Sequence, residues 1–292
     1  MREYIAFDIG GTQIKYGIVS ETGTVRKHKT VSTEIHLGGE QIIQKLIFLS
    51  KRLMNEHTIS GIAISTAGIV NFHKGVVTGG AEHIPNYATI PIIDRLQGVL
   101  QVPVSVENDV NCAALGEKWK GIGNGKRNFI MLTLGTGTGG AIFVDGELYR
   151  GHSFSAGEWG NMLIEGKPFE EVASISGLIR LVRTYKGEGD WNGKTIFELY
   201  DKGDREVIQA VEVFFKHLAI GISNLAYIFN PEMIVIGGGI TDRGNQFLKE
   251  VKEEVEKYLN KEIYSNCEIE LAQNGNCAGM IGSIYHFLHW HK

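Results

Sequence analysis

The chain has 292 residues, 43% apolar and 21% charged, with a net charge of -4, which is the make-up of a globular protein large enough for two cores. A slight acidity, with pI near 6.2, argues against a nucleic-acid groove as its main business, and no apolar run approaches a membrane span. Cys112, Cys267 and Cys277 are too scattered for a disulfide scaffold or the usual zinc spacings, and Met1-Arg2-Glu3-Tyr4 lacks a signal peptide's apolar segment, so a reducing cytoplasm is the expected compartment.

In chain order, Tyr4 to Phe7 reads as a buried strand and Tyr16 to Val19 as its hairpin partner. Val25 to Val31 follows the turn Glu21-Thr22-Gly23-Thr24 as a third strand. Gly38 to His57 carries Ile42, Ile43, Leu46, Leu49 and Leu53 at helical spacing. Gly61 to Ser65 is a short strand, Pro91 opens a helix through Leu96, and Pro103 to Val106 is a strand ending at Glu107-Asn108-Asp109. Val110 to Trp119 reads as the next helix.

The second half starts with a strand from Asn128 to Leu134, a Gly/Thr loop and a strand ending at the Asp145-Gly146 turn. Val172 to Tyr185 and Arg205 to Phe229 read as helices, the latter stopped by Pro231-Glu232. Met233 to Ile236 is a buried strand leading into Gly237-Gly238-Gly239. A charged amphipathic helix covers Asn245 to Asn260, Glu268 to Leu271 is a strand, and Cys277 to His289 is the final helix. Strands alternate with helices in both halves, so each half is expected to be an α/β sheet faced by helices. The expected domains are 1–110 and 111–276, with 277–292 packing back on the first.

The most informative stretch is Phe7-Asp8-Ile9-Gly10-Gly11-Thr12-Gln13-Ile14-Lys15, because Leu134-Gly135-Thr136-Gly137-Thr138-Gly139-Gly140 repeats its plan. Each is an apolar run, a Gly/Thr turn and a second apolar run. Glycine lets the backbone approach an anion and threonine adds a hydroxyl donor, so a nucleotide triphosphate held by two such loops is the natural ligand. Gly135, Gly137 and Gly140 formally satisfy G-x-G-x-x-G, but Ala141-Ile142-Phe143-Val144 reads as a strand, where a dinucleotide site requires a helix. Asp8, at a strand end, could hold Mg²⁺ directly or through water. Lys15 could approach a phosphate or simply be solvated. The three glycines at 237–239 leave room for a flat group such as adenine, or form a plain strand-to-helix turn. Asp109 stands where ligands meet α/β sheets and is either the carboxylate that takes a proton in phosphoryl transfer or the N-cap of the helix at Val110. Glu158, within Gly157-Glu158-Trp159-Gly160-Asn161, and Glu170 are polar groups of the kind that accept from sugar hydroxyls.

Taken together, Asp8 to Thr12, Glu107 to Asp109, Leu134 to Gly140, Ala156 to Glu158 and Gly237 to Gly239 resemble the ROK family (repressors, open reading frames and kinases) in the family's order and over nearly the whole chain. The resemblance implies an α/β, two-domain actin-like ATPase (ribonuclease H-like) sugar kinase fold with a cleft between domains. It implies ATP- and Mg²⁺-dependent phosphorylation of a hexose 6-hydroxyl, with Asp109 as base. Gly68, Asn86, Asn108, Asp109, Glu158, Asn161 and Glu170 would line the sugar site. Gly10, Gly11, Thr12, Lys15, Gly135, Thr136 and Gly137 would fall at the phosphates, with Asp8 as the Mg²⁺ residue and Gly238 and Gly239 at the nucleoside. Family kinases commonly carry a histidine after the Glu158 equivalent and a cysteine cluster before the Glu170 equivalent, and these bind zinc. Here Asn161 replaces the histidine, and no cysteine lies between Met162 and Phe169, so no zinc is expected.

The smaller, untethered Asn161 suggests a pocket open at the sugar's C1, suited to glucose or a β-glucoside such as cellobiose. The competing substrate is N-acetylmannosamine. Some ROK members are sugar-responsive repressors with an N-terminal helix-turn-helix, for which Asp8 lies too near Met1. Small-molecule partners are therefore expected, with no nucleic acid and no membrane. Dimers are common in the family, and the apolar helix Ala210 to Phe229 offers one surface for a homodimer.

Overall fold

The protein is described here by a computed structural model covering residues 1–291; Lys292, the end of the expected C-terminal segment, lies outside the described residues. The chain forms two compact units. The first comprises Met1–Asn124, Arg150–Ser155 and the chain from Gln273 on, and the second comprises Gly125–Tyr149 and Ala156–Ala272.

The first unit opens with strands β1 (Glu3–Ile9), β2 (Gln13–Ser20) and β3 (Val25–Ser32), then helix α1 (Gly39–Met54) and strand β4 (Ile59–Thr66). A small hairpin, β5 (Ile69–Asn71) and β6 (Val76–Gly79), precedes α2 (Ile92–Leu100), β7 (Val104–Asn108) and α3 (Asp109–Lys120). The second unit has β8 (Phe129–Leu134), β9 (Thr138–Val144), β10 (Glu147–Tyr149), the short pair β11 (Leu163–Ile164) and β12 (Lys167–Pro168), and helices α4 (Phe169–Val172), α5 (Ile175–Lys186), α6 (Gly193–Asp201) and α7 (Arg205–Phe229). It closes with β13 (Met233–Gly237), α8 (Asn245–Val255), α9 (Lys261–Asn266) and β14 (Glu268–Leu271), after which α10 (Ala278–Trp290) belongs to the first unit.

The two main sheets have one plan. Their orders are β3-β2-β1-β4-β7 and β10-β9-β8-β13-β14. In each, three antiparallel strands continue into two parallel ones.

In the first sheet the period-two alternation of β1 decides what each face meets. Ile5, Phe7 and Ile9 enter one core with Ile42, Leu46 and Leu96 of α1 and α2. Tyr4 and Ala6 enter another with Met280, Ile284 and Phe287 of α10. Helix α10 reaches α3 closely because glycine faces backbone: a Cβ at Gly116 would stand 2.7 Å from the Ala278 carbonyl oxygen, and one at Gly282 would overlap that of Cys112. That backbone contact keeps residues 111–124 with the first unit, in place of the border expected at 110. Glu117 of α3, fully buried, accepts from Ile122 N–H at 3.0 Å, Gln273 N–H at 3.0 Å and Asn274 N–H at 2.7 Å. One carboxylate thus ties the chain leaving the unit to the chain returning to it.

In the second unit α7 is the central helix. It starts at an Asp204 cap that accepts from Val207 N–H at 3.2 Å, and it ends at Asn230 in the left-handed region at φ 42°. By length and composition it could cross a membrane, but 61% of its most apolar window is buried in the protein, and Phe214, Leu218 and Ile222 lie in the unit's core. The helix expected over Val172 to Tyr185 is shifted and interrupted. Ser174 starts α5 by accepting from Gly177 N–H at 3.0 Å, and its hydroxyl donates to the Glu170 carbonyl at 2.6 Å. Likewise the helix expected to run to Asn260 stops at Val255, because the Asn260 side chain caps α9 through Ile263 N–H at 2.9 Å. Helix α6, which the sequence reading passed over, begins with a capping box between Asn192 and Thr195.

Candidate active site

In the first unit the parallel register gathers the polar residues at one edge. Asp8 of β1 pairs with Ser65 of β4, and Ser65 with Glu107 of β7. One step on, Ile9 pairs with Thr66, and Thr66 with Asn108. The carboxyl ends of three neighbouring strands therefore finish in one line, the usual ligand position in such sheets.

Asp8 is held on both oxygens. Ser65 donates to Oδ1 at 2.8 Å and Lys15, directly opposite across the hairpin, approaches Oδ2 at 3.3 Å. Lys15 thus has a carboxylate partner. The turn itself is closed by Gly10 N–H on the Gln13 carbonyl at 3.0 Å and anchored by the Thr33 hydroxyl on the Gly10 carbonyl at 2.7 Å. Gly11 and Thr12 project into solvent. A lone carboxylate beside an ammonium suits Mg²⁺ carried on phosphate oxygens and reached through water, since that ion keeps much of its hydration. Among the described residues no group of three or more His, Cys, Asp or Glu side chains gathers that could hold a metal ion.

The two readings of Asp109 separate here. The N-cap of α3 is Asn108, whose side chain accepts from Asn111 N–H at 2.9 Å, so the helix begins at Asp109. Asp109 Oδ1 accepts from Val110 N–H at 2.9 Å and from Asn108 Nδ2 at 3.0 Å. Those two donors set the direction of a half-buried carboxylate. Asn108 Nδ2 also donates to the Gly68 carbonyl at 3.0 Å, joining three of the expected sugar residues in one network. Asn86 lies exposed at φ 53° beside the buried Tyr87, whose hydroxyl meets Thr66 Oγ1 at 2.7 Å. Burial pushes the Tyr87 phenol up to about 12, so it stays protonated.

In the second unit the β8–β9 hairpin turns through Gly135, Thr136 and Gly137, with Gly135 N–H on the Gly137 carbonyl at 3.0 Å. The first residue of α5, Ile175, donates its N–H to the Gly135 carbonyl at 2.9 Å. Glu170, opening α4, lies against this loop: a Cβ on Gly137 would stand 2.8 Å from Glu170 Oε2. Glu158, exposed along one side, has its pKa raised first by partial desolvation and then by the Glu170 charge. Asn161 ends a short turn, Trp159–Asn161, and is exposed.

Gly238 and Gly239 differ. Gly238 has φ 94°, and a Cβ there would strike the Leu134 carbonyl, so the backbone demands glycine. At Gly239 a Cβ would find its nearest neighbour, Ile175 Cδ1, at 3.8 Å, which leaves space open. Sequence reasoning gave no part to Ser65, although it ends the expected strand Gly61 to Ser65. It also missed Arg150, which forms a 2.7 Å ion pair with Glu107 and has no nearby sequence signal.

Twin sheets of this order, each with a glycine hairpin between its first antiparallel strands, define the actin-like two-domain fold. The chain matches the ROK family over residues 4–289. It is 36% identical over 293 residues to a β-glucoside kinase of Listeria monocytogenes, covering 97% of this chain and 96% of that one. Among solved structures it resembles a Listeria monocytogenes protein provisionally described as an N-acetylmannosamine kinase, at 35% identity and TM-score 0.87 over 99% and 100% of the two chains. It also resembles a ROK family glucokinase from Streptomyces griseus in complex with glucose and AMPPNP, at 27% identity and TM-score 0.83 over 97% and 98%. This chain belongs to the ROK family.

Proposed function

We propose that this ROK protein is an ATP-dependent sugar kinase that transfers the γ-phosphoryl group to the 6-hydroxyl of a hexose, glucose or a β-glucoside of the cellobiose type. The observation that carries the reading is Asp109: a carboxylate oriented by two N–H donors, one of them from the Asn108 cap, at the carboxyl end of a parallel strand.

Phosphoryl transfer asks the protein for position and charge more than for covalent help. In the proposed reaction Asp109 takes the proton of the 6-hydroxyl as its oxygen bonds to phosphorus, and ADP leaves with the electron pair of the broken bond. Gly68, Asn86, Asn108, Glu158, Asn161 and Glu170 are the residues proposed to bind the sugar. The Gly10-Gly11-Thr12 and Gly135-Thr136-Gly137 turns present backbone N–H groups and hydroxyls to the phosphates, with Lys15 as the nearby cation and Gly238 and Gly239 beside the nucleoside. Asp8 would hold hydrated Mg²⁺, whose charge offsets that building on the phosphate oxygens. The cytoplasm and a homodimer are part of the same proposal; sedimentation at micromolar concentration tests the second.

A second substrate, N-acetylmannosamine, is favoured by the likeness to the Listeria protein of that description. Purified protein assayed with ATP on glucose, cellobiose and N-acetylmannosamine decides. Fast turnover of the amino sugar with inert cellobiose overturns the open-C1 reading drawn from Asn161. Asp109→Asn should lower kcat by about 10²–10⁴-fold and leave nucleotide affinity in place. Retained turnover would remove Asp109 from the mechanism.

A further inference from the structure

We propose that Arg150 is a positioning residue for the transfer: acting through Glu107, it holds the turn that presents Asn108 and Asp109. This rests on the kinase reading above and adds two residues to it.

Arg150 opens the short strap Arg150–Ser155, which belongs to the first unit although the chain on either side of it belongs to the second. Its Nε donates to Glu107 Oε2 at 2.7 Å, and the Glu107 side chain is only 1% exposed. The other carboxylate oxygen, Oε1, accepts from Asn108 N–H at 2.8 Å and from Asn111 Nδ2 at 3.1 Å. Asn111 N–H donates to Asn108 Oδ1, and Asn108 Nδ2 donates to Asp109 Oδ1. An unbroken run of hydrogen bonds therefore leads from the guanidinium to the proposed base.

The guanidinium is itself fixed. It lies over the Phe72 ring at 4.3 Å from the centroid, and its Nη2 faces His286 Nδ1 at 3.4 Å. Burial pushes His286 down to about 4, against the pull of Glu107, so the ring is neutral and can accept from Arg150. Further along the strap Phe154 adopts φ 65°, a strained conformation for a bulky side chain. Its ring meets Phe72 edge-on at 5.7 Å, so the aromatic cluster offsets the strain and seats the strap.

A carboxylate this deeply buried needs a cation, and losing one partner of a buried pair strands the other charge. Without Arg150, the Glu107 carboxylate would lose the cation that holds it in place, and its grip on the Asn108 and Asn111 donors would slacken. Small displacements of a reacting group are expensive: a shift of about 1 Å can cost about a hundredfold in rate. Lysine cannot replace the planar, stacked fork.

The test uses the full chain with Arg150→Met, Arg150→Lys and the double variant Glu107→Gln/Arg150→Met. Arg150→Met should lower kcat by about ten- to a hundredfold, with KM for sugar and ATP changed less than about threefold and the stoichiometry for a non-hydrolysable ATP analogue unchanged. Arg150→Lys should fall between it and the parent protein. The double variant should regain part of the loss, because it strands no charge and the glutamine carbonyl still accepts from Asn108 N–H. Amide exchange at Asn108 and Asn111, which needs no turnover, should quicken about tenfold or more in Arg150→Met. An unchanged kcat, or a kcat that falls only in step with binding stoichiometry, overturns the inference. If the parent protein phosphorylates no sugar, the kinase reading fails by itself, and unchanged exchange at the two amides would overturn the positioning claim independently.

Discussion

In the first unit the glycine hairpin turns beside a charged pair, for Asp8 stands opposite Lys15 and takes a hydrogen bond from Ser65. In the second unit the same place in the same sheet plan is occupied by Thr133 opposite Gly139. One hairpin adds a carboxylate and an ammonium to its backbone donors, and the other offers backbone and hydroxyl groups alone. The surroundings follow suit. Asp109 and its Asn108 cap lie two strands from the first hairpin, whereas Glu170 and the Gly238 backbone press on the second. Twin topology thus repeats the turn without repeating the chemistry. In the proposed reaction the first unit supplies the base and the metal residue.

That contrast can be broken most directly at its charged member. Asp8→Ala should lower kcat by about a hundredfold, while Thr133→Val, at the matching position, should leave kcat within about twofold; equal losses in steady-state assays would erase the distinction. The next effect is structural and confined to the second unit. Gly238→Ala forces φ 94° on a residue with a Cβ and drives that carbon into the Leu134 carbonyl, so it should destabilise by at least about 1–3 kcal/mol, read from denaturant midpoints. Gly239→Ala meets no close neighbour, so its melting temperature should stay unchanged while KM for ATP rises a few-fold; if both variants melt alike, the division of labour between these glycines is wrong.

Gly135→Ala sharpens the point on the hairpin itself. No heavy atom lies within 4 Å of the added carbon, so stability should hold and only nucleotide affinity should weaken, by roughly three- to tenfold through crowding of the phosphate. Calorimetric titration with an ATP analogue reads it. The smallest effect concerns Glu158. Its pKa in the folded protein is raised by desolvation and by Glu170, so as pH climbs the unfolded chain loses this proton first. Stability from this group is then present below the ordinary glutamate value and fades as pH rises through the raised one. Glu158→Gln should flatten that slope slightly in melts run across the acid range, and an unaltered slope would show that Glu170 does not act on Glu158.

Local patterns reported much of this in advance. Apolar runs around a Gly/Thr turn announce both hairpins, and Pro231-Glu232 marks the stop of the helix read over Arg205 to Phe229, which is α7. Asp109 is ambiguous in the sequence because a carboxylate just before a helix can serve as base or as N-cap, and only the backbone course of β7 into α3 gives the cap to Asn108. The expected helix over Val172 to Tyr185 crosses Ser174, and the one from Asn245 extends to Asn260, because the apolar rhythm continues where these two side chains cap the next helix. Helix α6 was overlooked for the opposite reason: its capping box was local, but its short apolar set sits in a polar, glycine-rich stretch.

The sequence by itself determined those features whose physics lies within a few residues: strand alternation, helical period, tight glycine turns and the motif set that marks the family. Only the tertiary structure decided the rest. The glycines of α3 and α10 look like weak points in two separate helices until the helices touch through them. Glu107 looks like one acid of a polar trio until Arg150, far along the chain, meets it in a buried pocket. Such choices depend on which distant atoms share a low-dielectric space, and burial that sets the worth of a charge or a missing side chain arises only when the chain has closed around it.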